Sequence, residues 1–211
     1  MKVLLAFLFV CGSAWAGNPI NLKTAKIYFE EAQKAEARGD YARARMAYSR
    51  SLANAKLGDA PPAGISMLMY NSGRMEGYAC NFAEAEKLIT EALNLEETVS
   101  GPQSGMTSQR LFELARLNFD RALFPASVPY FERGIAVIEK LDVEGKDPIG
   151  FAGVLDDFSR ALRESGQAEK AETVAARAKT IRDKNPGKEA SFTPVRYNQN
   201  CAAVERVQKP Q

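Results

Sequence analysis

The chain has 211 residues, with 28 Lys and Arg against 26 Asp and Glu and no His. That length suits one domain with room for a sizeable core, and the near-even charge balance excludes a general nucleic-acid binder, which carries a clear basic excess. Without His, Ser-His-Asp and Cys-His catalysis are excluded and the commonest transition-metal ligand is missing. The Cys residues are isolated, so no metal site, no cofactor and no catalytic set is expected.

The chain opens on Lys2 and the apolar run Val3 to Cys11. Ala14 and Ala16 follow in the A-x-A spacing that signal peptidase accepts, and a run this short falls below the ~20 residues of a membrane span. Residues 1–16 therefore read as a signal peptide cut after Ala16. Export to a periplasmic or similar space follows, with no transmembrane segment left after cleavage. The rival reading is a lipoprotein anchored at Cys11, although Phe9 and Val10 stand where a lipobox has small residues. Residues 17–24 form an N-terminal lead. Beyond the signal peptide Cys80 and Cys201 remain. In an oxidising compartment two Cys can pair, and the alternative is two separate thiols.

From Ala25 the apolar and small residues Ile27, Tyr28, Ala32 and Ala35 fall on one helical face. Gly39 closes that helix and Tyr41 opens the next, which carries Ala44, Tyr48 and Leu52 at helical spacing. The unit returns three times, starting at Ser66, Ser108 and Ala152, and a period of this kind predicts stacked helix pairs. Its units fall near residues 25–58, 66–99, 108–141 and 152–185. Ala44, Ala85, Ser127 and Ala171 fill one slot of the second helix, where a small side chain lets the two helices approach. A larger residue would overpack the contact by about 1–3 kcal/mol.

This pattern resembles the tetratricopeptide (TPR) repeat, carried best by Tyr28, Ala32, Gly39, Tyr41, Ala44 and Tyr48 in the first unit. Cys80 and Ala122 replace the turn Gly in units two and three, and Ala168 and Ala175 replace aromatics in unit four. The period is longer than the family's usual 34 residues, closer to its long-helix variants. The resemblance implies an all-α fold, a right-handed α-solenoid of about four helix-turn-helix repeats over residues 25–185.

Stretches rich in Gly and Pro separate the units: Lys56 to Ser66, Ser100 to Met106 and Asp142 to Gly150. Pro129 fits if its helix starts late, with Ser127 as N-cap; otherwise that helix is kinked. Residues 186–211 lose the amphipathic period and read as an extended C-terminal tail with a helical turn near Ala202 to Val207.

In TPR proteins the first helix of each unit lines the groove, through its second, fifth, ninth and twelfth positions. Counted from the unit starts, the fifth positions are Phe29, Tyr70, Phe112 and Asp156, and the ninth are Gln33, Arg74, Arg116 and Arg160. The twelfth are Glu36, Gly77, Phe119 and Arg163. Aromatics beside arginines are the side chains most enriched at binding hot spots, and Arg forms two-pronged bonds to carboxylates. The candidate partner-binding set is Phe29, Gln33, Tyr70, Arg74, Phe112, Arg116, Arg160 and Arg163. The implied partner is a protein or an extended peptide with acidic or free carboxyl groups. The chaperone-binding clamp, with Lys at position five and Asn at position nine, is absent. Three structural readings stand beside this one. The aromatics pack between helices, the arginines pair with acids such as Glu31, Glu76 and Asp156, or the tail folds back into the groove. A Cys80–Cys201 bond favours the last.

The function these readings imply is an exported, non-enzymatic scaffold. One alternative is a self-assembling structural subunit of an envelope complex. The other is an enzyme, although Asp156–Asp157 and Glu96–Glu97 are adjacent on their helices and point about 100° apart, so neither pair faces one site. The polar outer residues of the last helix, Lys170, Glu172, Arg177, Lys179 and Arg182, favour a capped end over stacking between copies.

Overall fold

The computed structural model describes residues 18–201 apart from Val143, Phe192 and Asn200, and only the backbone of Asn198. The signal peptide, Cys11 and the turn expected near Ala202 lie outside the described residues. Among the described residues eight α-helices follow in order: α1 Pro19–Glu36, α2 Tyr41–Leu57, α3 Pro62–Tyr78, α4 Phe82–Ser100, α5 Gly105–Asp120, α6 Phe124–Lys140, α7 Pro148–Glu164 and α8 Ala168–Asp183. Among the described residues there is no strand. Helices pair as α1 with α2, α3 with α4, α5 with α6 and α7 with α8, and each pair stacks on the next.

The first helix of every unit starts earlier than its apolar pattern does. Pro19, Pro62 and Pro148 sit in first turns, where the missing N–H costs nothing and the fixed φ suits a helix. The Asn18 carboxamide accepts from Ile20 N at 3.0 Å, and Asp147 accepts from Gly150 N at 2.9 Å. Pro62, which reads as a breaker, is thus a starter. Pro129 corrects the late-start reading: α6 begins at Phe124, and Pro129 lies inside it with its ring on the exposed side, so the helix goes without the bond that position 129 would donate to the Pro125 carbonyl.

The repeat is most literal at the turn inside each unit. Gly39, Cys80, Ala122 and Gly166 all have left-handed φ, at 73°, 65°, 58° and 79°. Each is followed by the same closing bond: Asp40 N to Ala35 O, Asn81 N to Glu76 O, Leu123 N to Asn118 O and Gln167 N to Leu162 O, at 2.9 to 3.0 Å. Non-glycine residues pay about 1–2 kcal/mol in that region, while glycine loses about 0.4–1 kcal/mol in unfolded-state entropy. Ala122→Gly is therefore expected to stabilise the chain by about 0.5–1 kcal/mol, measured as a raised denaturation midpoint, and Gly166→Ala to lower it. Cys80 bears the same strain, and glycine there would remove a sulfur that the tail uses.

The small slot is occupied as the spacing requires: Ala44, Ala85, Ser127 and Ala171 are fully buried. Buried hydroxyls tie the two helices of a pair together, Ser51 to Ala25 O at 2.7 Å and Ser159 to Ala171 O at 2.9 Å. Two apolar cores result. One runs through the first three units and takes in Tyr197 of the tail; the other joins units three and four around Phe131, Leu155 and Phe158.

Candidate functional site

Where α3 and α5 meet, their side chains gather on a buried carboxylate. Glu113, the residue after Phe112, receives the Tyr70 hydroxyl at 3.0 Å and the Arg74 Nε at 3.8 Å. It also receives the Arg116 guanidinium and the Tyr197 hydroxyl. Arg74 turns its other edge to Glu36 at 2.7 Å, and the Tyr48 hydroxyl donates to Glu36 at 2.8 Å. Burial alone pushes the Glu113 carboxyl up, but the Arg116 and Arg74 guanidiniums outweigh it and hold it below the ordinary carboxylate range. Burial, then Glu113, pushes the Tyr70 and Tyr197 hydroxyls up, so both stay protonated and donate.

The tail crosses this junction. Residues 193–196 lie outside any helix or strand, and a short 3-10 turn, Tyr197–Gln199, ends the path. The Tyr197 ring is fully buried and stacks on Tyr78 with centroids 4.8 Å apart, and Tyr78 stacks in turn on Tyr41 at 4.6 Å. Arg116 lies over the Tyr197 ring, 4.9 Å from its centroid. Gly77 makes the room: a Cβ there would stand 2.5 Å from the ring. Asp120 accepts Tyr197 N at 2.9 Å and Arg196 Nη1 at 3.1 Å, and Asp157 takes the other Arg196 nitrogen at 2.7 Å. Burial pushes the Asp120 carboxyl up despite these donors. Cys201 is joined to Cys80 in a disulfide, Cα atoms 5.6 Å apart. Gly77→Ala is expected to cost about 1–3 kcal/mol by overpacking the ring, a loss that should vanish when Tyr197 is already Ala.

Beside the tail a cleft of about 350 Å³ remains open between α5 and α7, lined by Tyr70, Gln109, Phe112, Val154, Asp157 and Pro194 among others. Phe112 is held by Gly134, where a Cβ would stand 2.6 Å from its ring.

The eight candidate residues thus divide. Tyr70, Arg74 and Arg116 sit together in the Glu113 cluster, and Phe112 borders it on the cleft. Phe29 is half-buried against Tyr48, ring centroids 6.0 Å apart, and Gln33 is exposed on α1 away from the cluster. Arg160 is exposed, 5.5 Å from the Phe119 centroid, and Arg163 is exposed one turn further on. Neither has an ion pair among the described residues. Sequence reasoning passed over Glu113, Asp120 and Tyr197, and weighed Asp157 only as half of a carboxylate pair with Asp156. The signal was present in the register, since Glu113 and Asp157 share the sixth position of their units and Glu113 lies three residues before Arg116.

No family model and no curated protein sequence matches the chain. Solved structures do match. BtubC (BKLC) from P. vanneervenii aligns over 82% of this chain and 70% of its own, with a TM-score of 0.70 at 21% identity. A putative kinesin light chain of Podosopora anserina, with nearly identical TPR-like repeats, covers 78% and 77% with a TM-score of 0.61 at 16% identity. The apo form of RapI covers 78% and 70% with a TM-score of 0.54 at 17% identity. At these identities the likeness is one of fold: the chain is a TPR-like α-solenoid. Among the described residues no group of acids and cysteines could hold a metal, and no helix is long and apolar enough to cross a membrane.

Proposed function

We propose that this chain is an exported, non-enzymatic scaffold that binds an extended peptide segment of a protein partner along the A-helix face. One observation carries the reading: that face already holds a non-helical segment of chain, residues 193–196, and leaves an apolar-walled cleft open beside it. Solenoids present such surfaces to partners. Arg74 and Arg116 are committed to Glu36 and Glu113, so an acidic or free carboxyl group on the partner is assigned to Arg160 and Arg163, spaced at one-turn intervals from Asp157 on α7. Export draws support from the Cys80–Cys201 bond, which suits an oxidising compartment.

The test is selection from a displayed random-peptide library. Selected peptides should be rich in Asp, Glu or free C-termini, and Arg160→Glu/Arg163→Glu should weaken them about tenfold or more, the value of one to two lost charged contacts, with helicity intact. Equal binding by both forms would remove the arginines from the site.

Self-assembly is favoured by a different observation. Ile20 and Leu57 are 74% and 68% exposed at the open end of the first pair, where Asn21 Nδ2 reaches Leu57 O at 3.3 Å. Sedimentation velocity decides: a monomer at high concentration removes this reading.

A further inference from the structure

We infer that the Gly77–Glu113–Asp120 seat is a recognition site for a peptide carrying Arg followed by an aromatic hydroxyl residue, locked in the oxidised chain by its own Arg196–Tyr197 and opened to exchange when the Cys80–Cys201 bond is reduced. The inference rests on the groove-binding reading and adds the chemistry and the control of that groove.

The seat is shaped for such a pair. Gly77 clears the space for a ring, Tyr78 and Arg116 pack against it, and Glu113 receives the hydroxyl at its far end. Asp120 accepts the backbone N–H of the aromatic residue, and Asp120 with Asp157 brackets the guanidinium before it. Arg116 Nη1 donates to Val195 O at 3.3 Å. The seat therefore reads both side chains and the backbone between them, in the way a groove reads an extended ligand. A ring without the hydroxyl would leave Glu113 one donor short, and an apolar residue in place of Arg would leave Asp157 without its partner.

The tail is anchored at both ends of this contact. It leaves α8 after Asp183 and is pinned by Cys201 to the turn between α3 and α4. With the bond closed the segment cannot leave, so an outside peptide competes with a fixed occupant. With the bond open the tail is a tethered ligand at millimolar effective concentration, which a partner can displace. The chemistry is exchange with a dithiol. One thiolate of the dithiol attacks the Cys80 sulfur, which is half-buried at its turn, and Cys201 leaves as a thiolate. The second thiol then resolves the mixed disulfide. Two electrons and two protons pass to the chain, giving two Cys thiols, and the dithiol leaves as a disulfide.

Two measurements on the full chain test this. The first is amide hydrogen exchange at Tyr197, whose N–H is bound to Asp120. Exchange should be slow in the oxidised protein and about tenfold or more faster with dithiothreitol or in Cys201→Ser, as local opening replaces a locked contact. The second is fluorescence anisotropy with labelled peptide TPVRYNQ, the sequence of residues 193–199. Oxidised wild type should not bind it, and Tyr197→Ala/Cys201→Ser should. Adding Gly77→Ala, or replacing the peptide's Tyr by Ala, should abolish binding. Equal protection of Tyr197 in both redox states, or a helical Tyr197→Ala/Cys201→Ser chain that ignores the peptide, overturns the inference and leaves the tail as a permanent clip. Loss of the library peptides in Arg160→Glu/Arg163→Glu is read separately, so failure of the seat and failure of the groove reading on which it rests are told apart.

Discussion

Replacing Cys201 by Ser, or reducing the bond it makes with Cys80, is expected to lower the stability of the chain by about 5 kcal/mol in chain-entropy terms. The two cysteines are 121 residues apart, and cross-linking so long a loop removes much of the freedom of the unfolded chain. Urea denaturation of oxidised and reduced protein, followed by circular dichroism, measures the difference. At position 80 the backbone is left-handed, and Ser is strained there as Cys is. Cys80→Ser and Cys201→Ser should therefore lose the same stability within error. A difference under about 1 kcal/mol between oxidised and reduced protein would mean that the reduced unfolded chain is already compact.

Glu113→Gln is expected to cost about 3–5 kcal/mol, the usual result of removing one member of a buried ion cluster. Arg116 is buried and Arg74 nearly so, and both lose their shared anion, while the Tyr70 and Tyr197 hydroxyls keep only a neutral acceptor. Glu139→Gln is the contrast. Its partner Arg177 is on the surface, and the loss there should stay below about 1 kcal/mol. The pH dependence has a defined sign. Because Glu113 is held below the ordinary carboxylate range in the folded chain, its stabilisation is complete above the unfolded value and is lost as pH falls through the depressed one. The gap between wild type and Glu113→Gln should therefore narrow in acid, and a gap that is constant down to strongly acidic pH would show that charge is not what Glu113 contributes.

The helix pairs were legible because a period of small and aromatic residues is written four times: Ala44, Ala85, Ser127 and Ala171 occupy equivalent buried positions. The turn slot was legible too, even where Cys80 and Ala122 replace glycine, because the register carries it. Helix starts were less so, since Pro19, Pro62 and Pro148 read alike as breakers and as first-turn residues. The Glu113 cluster was half legible. Tyr70, Arg74 and Arg116 stand out by register and meet in it, but Arg74 and Tyr70 reach their acids across helices. Glu113 sits 39 residues from Arg74 in sequence and shows no local sign of the contact. The return of the tail stood among the sequence readings, tied to a Cys80–Cys201 bond, and that bond is formed; what was not legible is Tyr197, whose place is set by a cavity at Gly77 that no spacing reveals.

A linear array of helix pairs normally frays from its ends, each unit depending only on its neighbours. Here the segment after α8 returns to the α3–α4 turn, so the last pair cannot peel away without disturbing the second. Open-ended stacking becomes closed circuitry. Unfolding should be a single concerted transition in the oxidised chain and separate into an early and a late step once the circuit is cut.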